Sequence, residues 1–253
     1  MRIRTASAND TGDSWNGFYA GGTVGGDWQN ADTKYSAVPS PFSVVIVPDL
    51  ANGAIPNDIK KTGSGFIGGA TAGLNVQASS IVWGVEGDIS WLGAKSTNNV
   101  AGGPPSFANP GDTTTLKTGA DWLATARGRV GFLLTPKTLL YGTGGLAVGQ
   151  VNSSSMFTPT LGSTCANNSL CSTGSGSSTQ YGWTAGAGAE TALTPRWSLK
   201  IEGLYYDLGN YNYIMGEASP AFAANAGAPN ANVRVAVTGE FVRIGLNYKF
   251  GRL

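Results

Sequence analysis

The chain has 253 residues, a formal net charge of +1 and no histidine. Only 12% of it is Asp, Glu, Lys or Arg, about half the usual share of a soluble domain, although its 41% apolar fraction is ordinary. Without histidine, Ser-His-Asp and Cys-His catalysis, His-ligated zinc or haem and a His-based pH switch are excluded, and with no basic run there is no electrostatic footprint for nucleic acid.

The first stretch, Met1 to Ser14, is polar and lacks the apolar core of a secretory signal, so an exported protein is expected here in processed form. No apolar run approaches the roughly 20 residues of a membrane-spanning helix. From Trp15 onward, eight segments of about ten residues place an apolar residue or glycine at every second position, the period of a strand. The first sets Phe18, Ala20, Gly22, Val24, Gly26 and Trp28 against Tyr19, Thr23 and Asp27. The second carries Phe66, Ala70, Leu74 and Val76 on one face. In the third, Ile81, Trp83, Val85, Ile89 and Trp91 oppose Glu86 and Asp88. In the fourth, Trp122, Ala124, Val130 and Phe132 oppose Asp121, Arg127 and Arg129. The fifth runs from Leu140 to Val148, and the sixth sets Tyr181, Trp183 and Ala185 against Glu190. The seventh opposes Trp197, Leu199, Ile201 and Tyr205 to Lys200 and Glu202. The eighth opposes Val242, Ile244, Leu246, Tyr248 and Phe250 to Arg243 and Lys249.

The register of the charges decides what the segments face. Asp27, Glu86, Asp88, Asp121, Arg127, Arg129, Glu190, Lys200, Glu202, Arg243 and Lys249 all share parity with the polar face. A soluble sandwich would cover its outer face with many ions. An uncharged face opposite a sparse polar one instead predicts lipid outside and a polar interior, since Lys or Arg at the bilayer midplane costs about 2–4 kcal/mol. Aromatic residues at both ends of the apolar faces predict interfacial girdles: Phe18 and Trp28, Trp83 and Trp91, Trp122 and Phe132, Trp197 and Tyr205, with Tyr248 and Phe250 closing the set. Short links (77–80, 133–138 and 192–196) alternate with long ones (29–62, 92–120, 152–180 and 207–233). This predicts an all-β, eight-stranded antiparallel transmembrane β-barrel with short periplasmic turns, four long extracellular loops and both termini periplasmic.

Trp15-Asn16-Gly17-Phe18-Tyr19-Ala20-Gly21-Gly22, Gly144-Gly145-Leu146-Ala147-Val148-Gly149 and Val242-Arg243-Ile244-Gly245-Leu246-Asn247-Tyr248-Lys249-Phe250 resemble the small porin-family barrels of Gram-negative bacteria, also called outer-membrane immunogenic proteins. The resemblance implies one barrel over residues 15–250, flanked by a flexible periplasmic segment (1–14) and a short extension (251–253). It also implies a non-enzymatic, cofactor-free surface protein of the outer membrane that stabilises the envelope and at most leaks small solutes. Its implied partners are outer-membrane lipid and lipopolysaccharide, barrel-insertion machinery reading the C-terminal strand, and surface partners met through the loops. Members of the family typically finish on the aromatic residue, whereas Gly251-Arg252-Leu253 follow Phe250 here.

Inside an eight-stranded barrel the inward side chains just fill the lumen. Glu86 and Asp88 are expected to pair with Arg127 and Arg129, and Lys200 and Glu202 with Arg243, joined by Glu190, in an inward set of six acids and five bases. Such a set reads either as an ionic plug or as a narrow proton or ion path. Cys165 and Cys171 can close one disulfide in the third long loop; two thiolates without His supply only half a tetrahedral metal shell. Gly63-Ser64-Gly65-Phe66-Ile67-Gly68 matches the dinucleotide glycine pattern, but it opens a segment of period two, where glycines of a curved wall are expected rather than a phosphate-binding turn. Two other classes compete with this reading. A soluble lipocalin-like carrier needs an apolar interior, and an outer-membrane lipase or protease generally needs His. A third possibility is an adhesin or ligand receptor acting through the loops. Glu240 has lipid-facing parity while Val235 and Val237 have the opposite one, so the last strand either bulges near Gly239 or leaves the membrane below Glu240.

Overall fold

The computed structural model describes residues 15–38, 58–101, 113–158, 172–217 and 229–250. Residues 1–14 and 251–253 and both cysteines, with the disulfide expected between them, lie outside the described residues. Nine strands form one antiparallel sheet: β1 (Gly17–Ala37), β2 (Asp58–Ala78), β3 (Ile81–Leu92), β4 (Ser96–Ala101), β5 (Thr113–Thr135), β6 (Thr138–Thr158), β7 (Ser172–Ala192), β8 (Trp197–Glu217) and β9 (Pro229–Lys249). Each strand pairs with its chain neighbour. β1 also pairs with β9, and β3 with β5, so the sheet closes on itself. β3 and β4 are two pieces of one stave, interrupted at Gly93–Lys95. Eight staves therefore make the barrel.

The full-length strands are twice as long as a membrane requires. Their 21 residues, 23 in β5, cover about 70 Å at 3.3 Å per residue, whereas about 9–11 tilted residues cross the apolar core. The long loops expected over 29–62, 92–120, 152–180 and 207–233 are therefore corrected. β1 runs on to Ala37, β2 begins at Asp58, β5 at Thr113, β7 at Ser172 and β9 at Pro229. Stretches such as Ser172-Thr173-Gly174-Ser175-Gly176-Ser177-Ser178 carry no apolar alternation, so their strand character was hidden; they are held by pairing with β6.

Along each stave the side-chain pattern inverts. In the half near the short turns, Phe18, Val24, Trp83, Val85, Leu146, Ile201, Val242 and Ile244 are exposed on the outer wall while the ions are buried within. In the far half the outer wall carries Lys34, Lys60, Lys117 and Arg234, and the interior is an apolar core including Tyr35, Ile59, Leu116, Val151, Tyr213, Met215, Val233, Val235 and Val237. β9 pairs with β1 without a register shift from Ala231 to Lys249. There is no bulge at Gly239: Glu240 points outward beside Trp28, and the valines beyond it point inward.

Two bulges do switch parity. Between Ala120 and Trp122 the pairing of β5 with β6 shifts, so Leu123, Thr125 and Arg127 face inward below it, and Leu116, Thr118 and Ala120 above. Asp121 occupies the bulge and is expelled to the surface, where it meets Lys95 at 3.4 Å. Its expected place in the lumen is thereby corrected, leaving five acids and five bases inside. In β8 the shift between Asp207 and Asn210 contains Gly209 at φ 67°, with the Gly209 amide donating to Asp207 Oδ1 at 2.7 Å.

The hydrogen-bonded ring is complete only in the half near the turns. Beyond Ile67–Leu92, β2 pairs with β1 alone and β4 with β5 alone. Between Thr173 and Trp183 the pairing of β7 with β8 lapses. The far half is thus a flattened, sandwich-like end in which β2-β1-β9-β8 and β4-β5-β6-β7 face each other over a shared apolar core, open between β2 and β4 and joined between β7 and β8 only at Ser172–Glu217 and Thr173–Gly216.

Candidate functional site

The lumen is filled in three layers. At the short-turn end, Gly17 takes φ 119°, a conformation that only glycine adopts freely, and the chain before it turns so that Trp15 lies 1% exposed against Val82, Leu139 and Tyr141. Trp15 Nε1 donates to the Pro136 carbonyl (3.3 Å), its amide donates to Gln77 Oε1 (2.9 Å), and Lys249 Nζ lies 5.2 Å from its ring centre.

The middle layer holds eight charged side chains, none more than 3% accessible. Glu86 and Arg127 are direct cross-strand partners, as are Glu202 and Arg243, and Glu190 and Lys200; the barrel then folds the three pairs and Asp88 and Arg129 onto one another. Arg127 reaches Glu86 (2.5 Å), Asp88 (2.9 Å) and Glu202 (3.4 Å). Arg243 reaches Glu202 (2.5 Å) and Asp88 (3.1 Å). Lys200 bridges Glu86 (2.9 Å) and Glu202 (3.5 Å), and Arg129 joins Glu190 (3.1 Å) and Glu86 (3.6 Å). Alternation and hairpin order were enough to select these residues. Lys200 with Glu86 and Arg243 with Asp88 lie on non-adjacent staves, so only closure brings them together.

Neutral partners that sequence reasoning missed complete this layer. Tyr19 Oη donates to Glu86 (2.6 Å), Tyr141 Oη to Glu202 (3.1 Å), Thr125 Oγ1 to Asp88 (2.6 Å) and Asn247 Nδ2 to Glu190 (3.0 Å). Arg129 lies between the Tyr19 and Tyr141 rings, 4.8 and 5.1 Å from their centres. The only available signal was inward parity, which these residues share with many threonines and glycines.

A third layer seals the transition to the sandwich. The Gln29 side chain treats Ala120 as a strand would: its Oε1 accepts from the Ala120 amide at 2.9 Å and its Nε2 donates to the Ala120 carbonyl at 3.3 Å. Asp27 Oδ2 accepts from the Ala94 amide at 3.3 Å. Two β1 side chains thus satisfy backbone groups that the break and the bulge leave without a ladder. Asp27, placed inside by its parity, serves this joint rather than the ion cluster. Gly63 and Gly65 face the same joint. A Cβ on Gly65 would collide with the Ala94 amide nitrogen and the Gly93 carbonyl carbon, and one on Gly63 would press on Lys95. The glycine pattern therefore lets one segment of chain cross another at contact distance.

On the outer wall, Phe18, Trp83, Phe132, Trp197, Tyr248 and Phe250 lie toward the turns, and Trp28, Trp91, Trp122 and Tyr205 toward the far half. Phe66, Tyr181 and Trp183 join the latter row, with the Trp183 ring tilted at 44° against Tyr205 and their centres 5.4 Å apart.

Residues 4–250 match the family described as outer membrane protein beta-barrel domain. The 31 kDa outer-membrane immunogenic protein of Brucella melitensis is 34% identical over 250 residues, which cover 97% of this chain and 88% of that protein. The 25 kDa outer-membrane immunogenic protein of Brucella abortus is 31% identical over 237 residues, 94% and 80% of the two chains. The outer membrane protein OprG from Pseudomonas aeruginosa shares the fold, with a TM-score of 0.51 and 14% identity over 93% of this chain and 96% of that one. The closed ring, its uncharged outer band and these likenesses agree: the chain belongs to the outer-membrane β-barrel family that includes the Brucella immunogenic proteins.

Proposed function

We propose that this protein is a structural, surface-exposed barrel of the outer membrane whose lumen is closed to solutes by its own side chains, with the short turns and both termini in the periplasm. One observation carries the reading. The cluster of Glu86, Asp88, Arg127, Arg129, Glu190, Lys200, Glu202 and Arg243 fills the lumen at its middle and is almost wholly inaccessible. An unpaired buried charge costs several kcal/mol, so every ion here is anchored by opposite charge, and a conducting path would require several of these contacts to break together. Trp15 closes the turn end in the same sense, and its docking on Gln77 and Pro136 keeps the N-terminal strand's start beside the short turns. The acids are engaged by Arg and Lys, which leaves none poised as a general base and supports a non-catalytic role. The aromatic rows act as interfacial girdles: Phe18 and Trp28 are ten residues apart, which at a 45° tilt gives about 23 Å, close to the apolar band of about 25 Å.

Conductance in planar bilayers tests the reading, with heat-modifiable gel migration as the check that the barrel has formed. The folded chain is expected to give no large, stable openings. Steady openings of porin size from folded protein would overturn the plug.

A further inference from the structure

The bulge that expels Asp121 from the lumen also shapes a recess on the outer wall. Staves β5, β6 and β7 and the chain leaving the Gly93–Lys95 break surround it above the outer aromatic row, with a volume of about 400 Å³, within the range of small-molecule sites. Small residues such as Gly119 leave the room, and Lys95, Lys117, Asp121, Asn152 and Ser177 line it. Bulges recur beside binding sites because they re-aim one side chain and leave the sheet otherwise intact.

Two hydrogen-bonded relays fix the polar groups. Asn152 Nδ2 donates to Asp121 Oδ2 at 2.6 Å, and Asp121 Oδ1 lies 3.4 Å from Lys95 Nζ. Trp122 Nε1 donates to Gln150 Oε1 at 3.2 Å, and Gln150 Nε2 donates to Ser177 Oγ at 3.0 Å. Ser177 therefore accepts from Gln150 and has its own hydroxyl proton to donate, while Asn152, anchored through its NH2 group, offers a carbonyl oxygen. Donors and acceptors are mixed around one space. A small anion would meet the Asp121 carboxylate, and a small cation the ammonium groups of Lys95 and Lys117. Ligand pockets are predominantly apolar, but none of the residues lining this one is an aliphatic or aromatic residue. A hydroxyl group both donates and accepts, so a ring carrying several of them and no charge matches the wall.

We propose that this recess is a saccharide subsite that takes one uncharged sugar ring. Asp121 and the Asn152 carbonyl accept from its hydroxyls, and Lys95, Lys117 and Ser177 donate to its oxygens. The Lys95 and Asp121 side chains are 68% and 46% exposed, so their ion pair rearranges around a ligand at little cost. The bulge thereby has a role that the plug in the lumen does not need. That the sugar is met outside the cell rests on the orientation proposed above.

The test uses the full folded chain in a sugar-free zwitterionic detergent, with the methyl glycosides of glucose, galactose and mannose as probes and amide chemical shifts as the readout. At millimolar concentration at least one glycoside is expected to move the amides of Gly119, Asn152 and Ser177 and to leave Asn30 and Thr238, in the recess on the β9, β1 and β2 wall, where they are. D121N keeps the size of the side chain and removes its charge, and is expected to weaken binding about tenfold or more; S177A, which leaves the bulge untouched, is expected to weaken it several-fold. No shift with any of these glycosides, or equal binding by the parent and both variants, would overturn the proposal. So would tighter binding of inorganic phosphate at the same amides, which would make the recess an anion site. Surface labelling of S175C on intact cells reads the orientation separately, because binding in detergent does not depend on it.

Discussion

Arg243 illustrates how tightly the lumen ties each ion to several others. Its guanidinium serves Glu202, Asp88 and Ser90 Oγ at once, and all three come from other staves. Truncating one member of a buried set leaves its partners charged and unsatisfied, which costs about 3–5 kcal/mol. R243M is therefore expected to lower the stability of the refolded barrel by about that amount, measured as a shift of the urea midpoint in micelles. Replacing Glu202 as well is expected to recover part of the loss, because the double change removes the orphaned carboxylate. Tyr35 behaves differently. It lies in the far half beside Tyr213, with its hydroxyl 2.9 Å from Ser155 Oγ, and burial pushes it up to about 12 against the opposing pull of that bond. The folded state holds the neutral phenol, whereas the unfolded chain ionises near 10. This contribution is thus complete below pH 10 and is lost as pH rises through 12. Tyrosinate absorbance is expected to show a step near 12 that Y35F diminishes by one tyrosine.

A stave in this protein meets two solvents, and the cost of a substitution depends on which half it touches. Val242 and Val235 are both on β9, but Val242 faces outward in the lipid band and Val235 is buried in the sandwich. V242K is expected to cost about 2–4 kcal/mol of insertion stability. V235K leaves the lipid-facing band intact and strands a charge in the far core, so limited proteolysis is expected to cut that half while heat-modifiable migration persists. The joint between β3 and β4 depends on missing side chains. G65V drives a branched side chain into Gly93 and Ala94, which also strips Asp27 of its Ala94 contact. It is expected to unfasten β4 from the joint, read as faster amide exchange at Ser96 and Thr97 with little change in β7 to β9.

The molecule changes architecture at the membrane surface because its solvent changes there. In hydrocarbon an unpaired strand edge is untenable, so all eight staves close into one hydrogen-bonded ring. In water an edge can be hydrated, the closure lapses on two opposite sides, and the sheets press together around Val233, Val235, Tyr213 and Leu116. Amide exchange is expected to follow this division. The slowest amides belong near Glu86, Arg127 and Glu202, and fast exchange is expected on the unpaired edges of β2 near Lys60 and of β7 near Gly176. Uniform protection over both halves would contradict the sandwich.

Composition and two-residue periodicity were sufficient to read the membrane half: the absence of histidine, the outward parity of Phe18 to Trp28 and the inward parity of Glu86, Arg127 and Arg243 all follow from counting along the chain. The reason is that lipid imposes one rule on every stave, and that rule is local. The far half obeys no single local rule. Polar outer positions such as Ser175 and Ser177, and Gly-rich stretches, read as loops because they carry no apolar alternation and are held as strand only by pairing with β6. The Asp121 bulge moved one acid from the lumen to the surface, since a bulge is visible only through the pairing it interrupts. Which ion meets which, the inward turn of Trp15 at Gly17, and the recess beside Asp121 all depend on how the staves close. Closure is a long-range event that no window of ten residues contains.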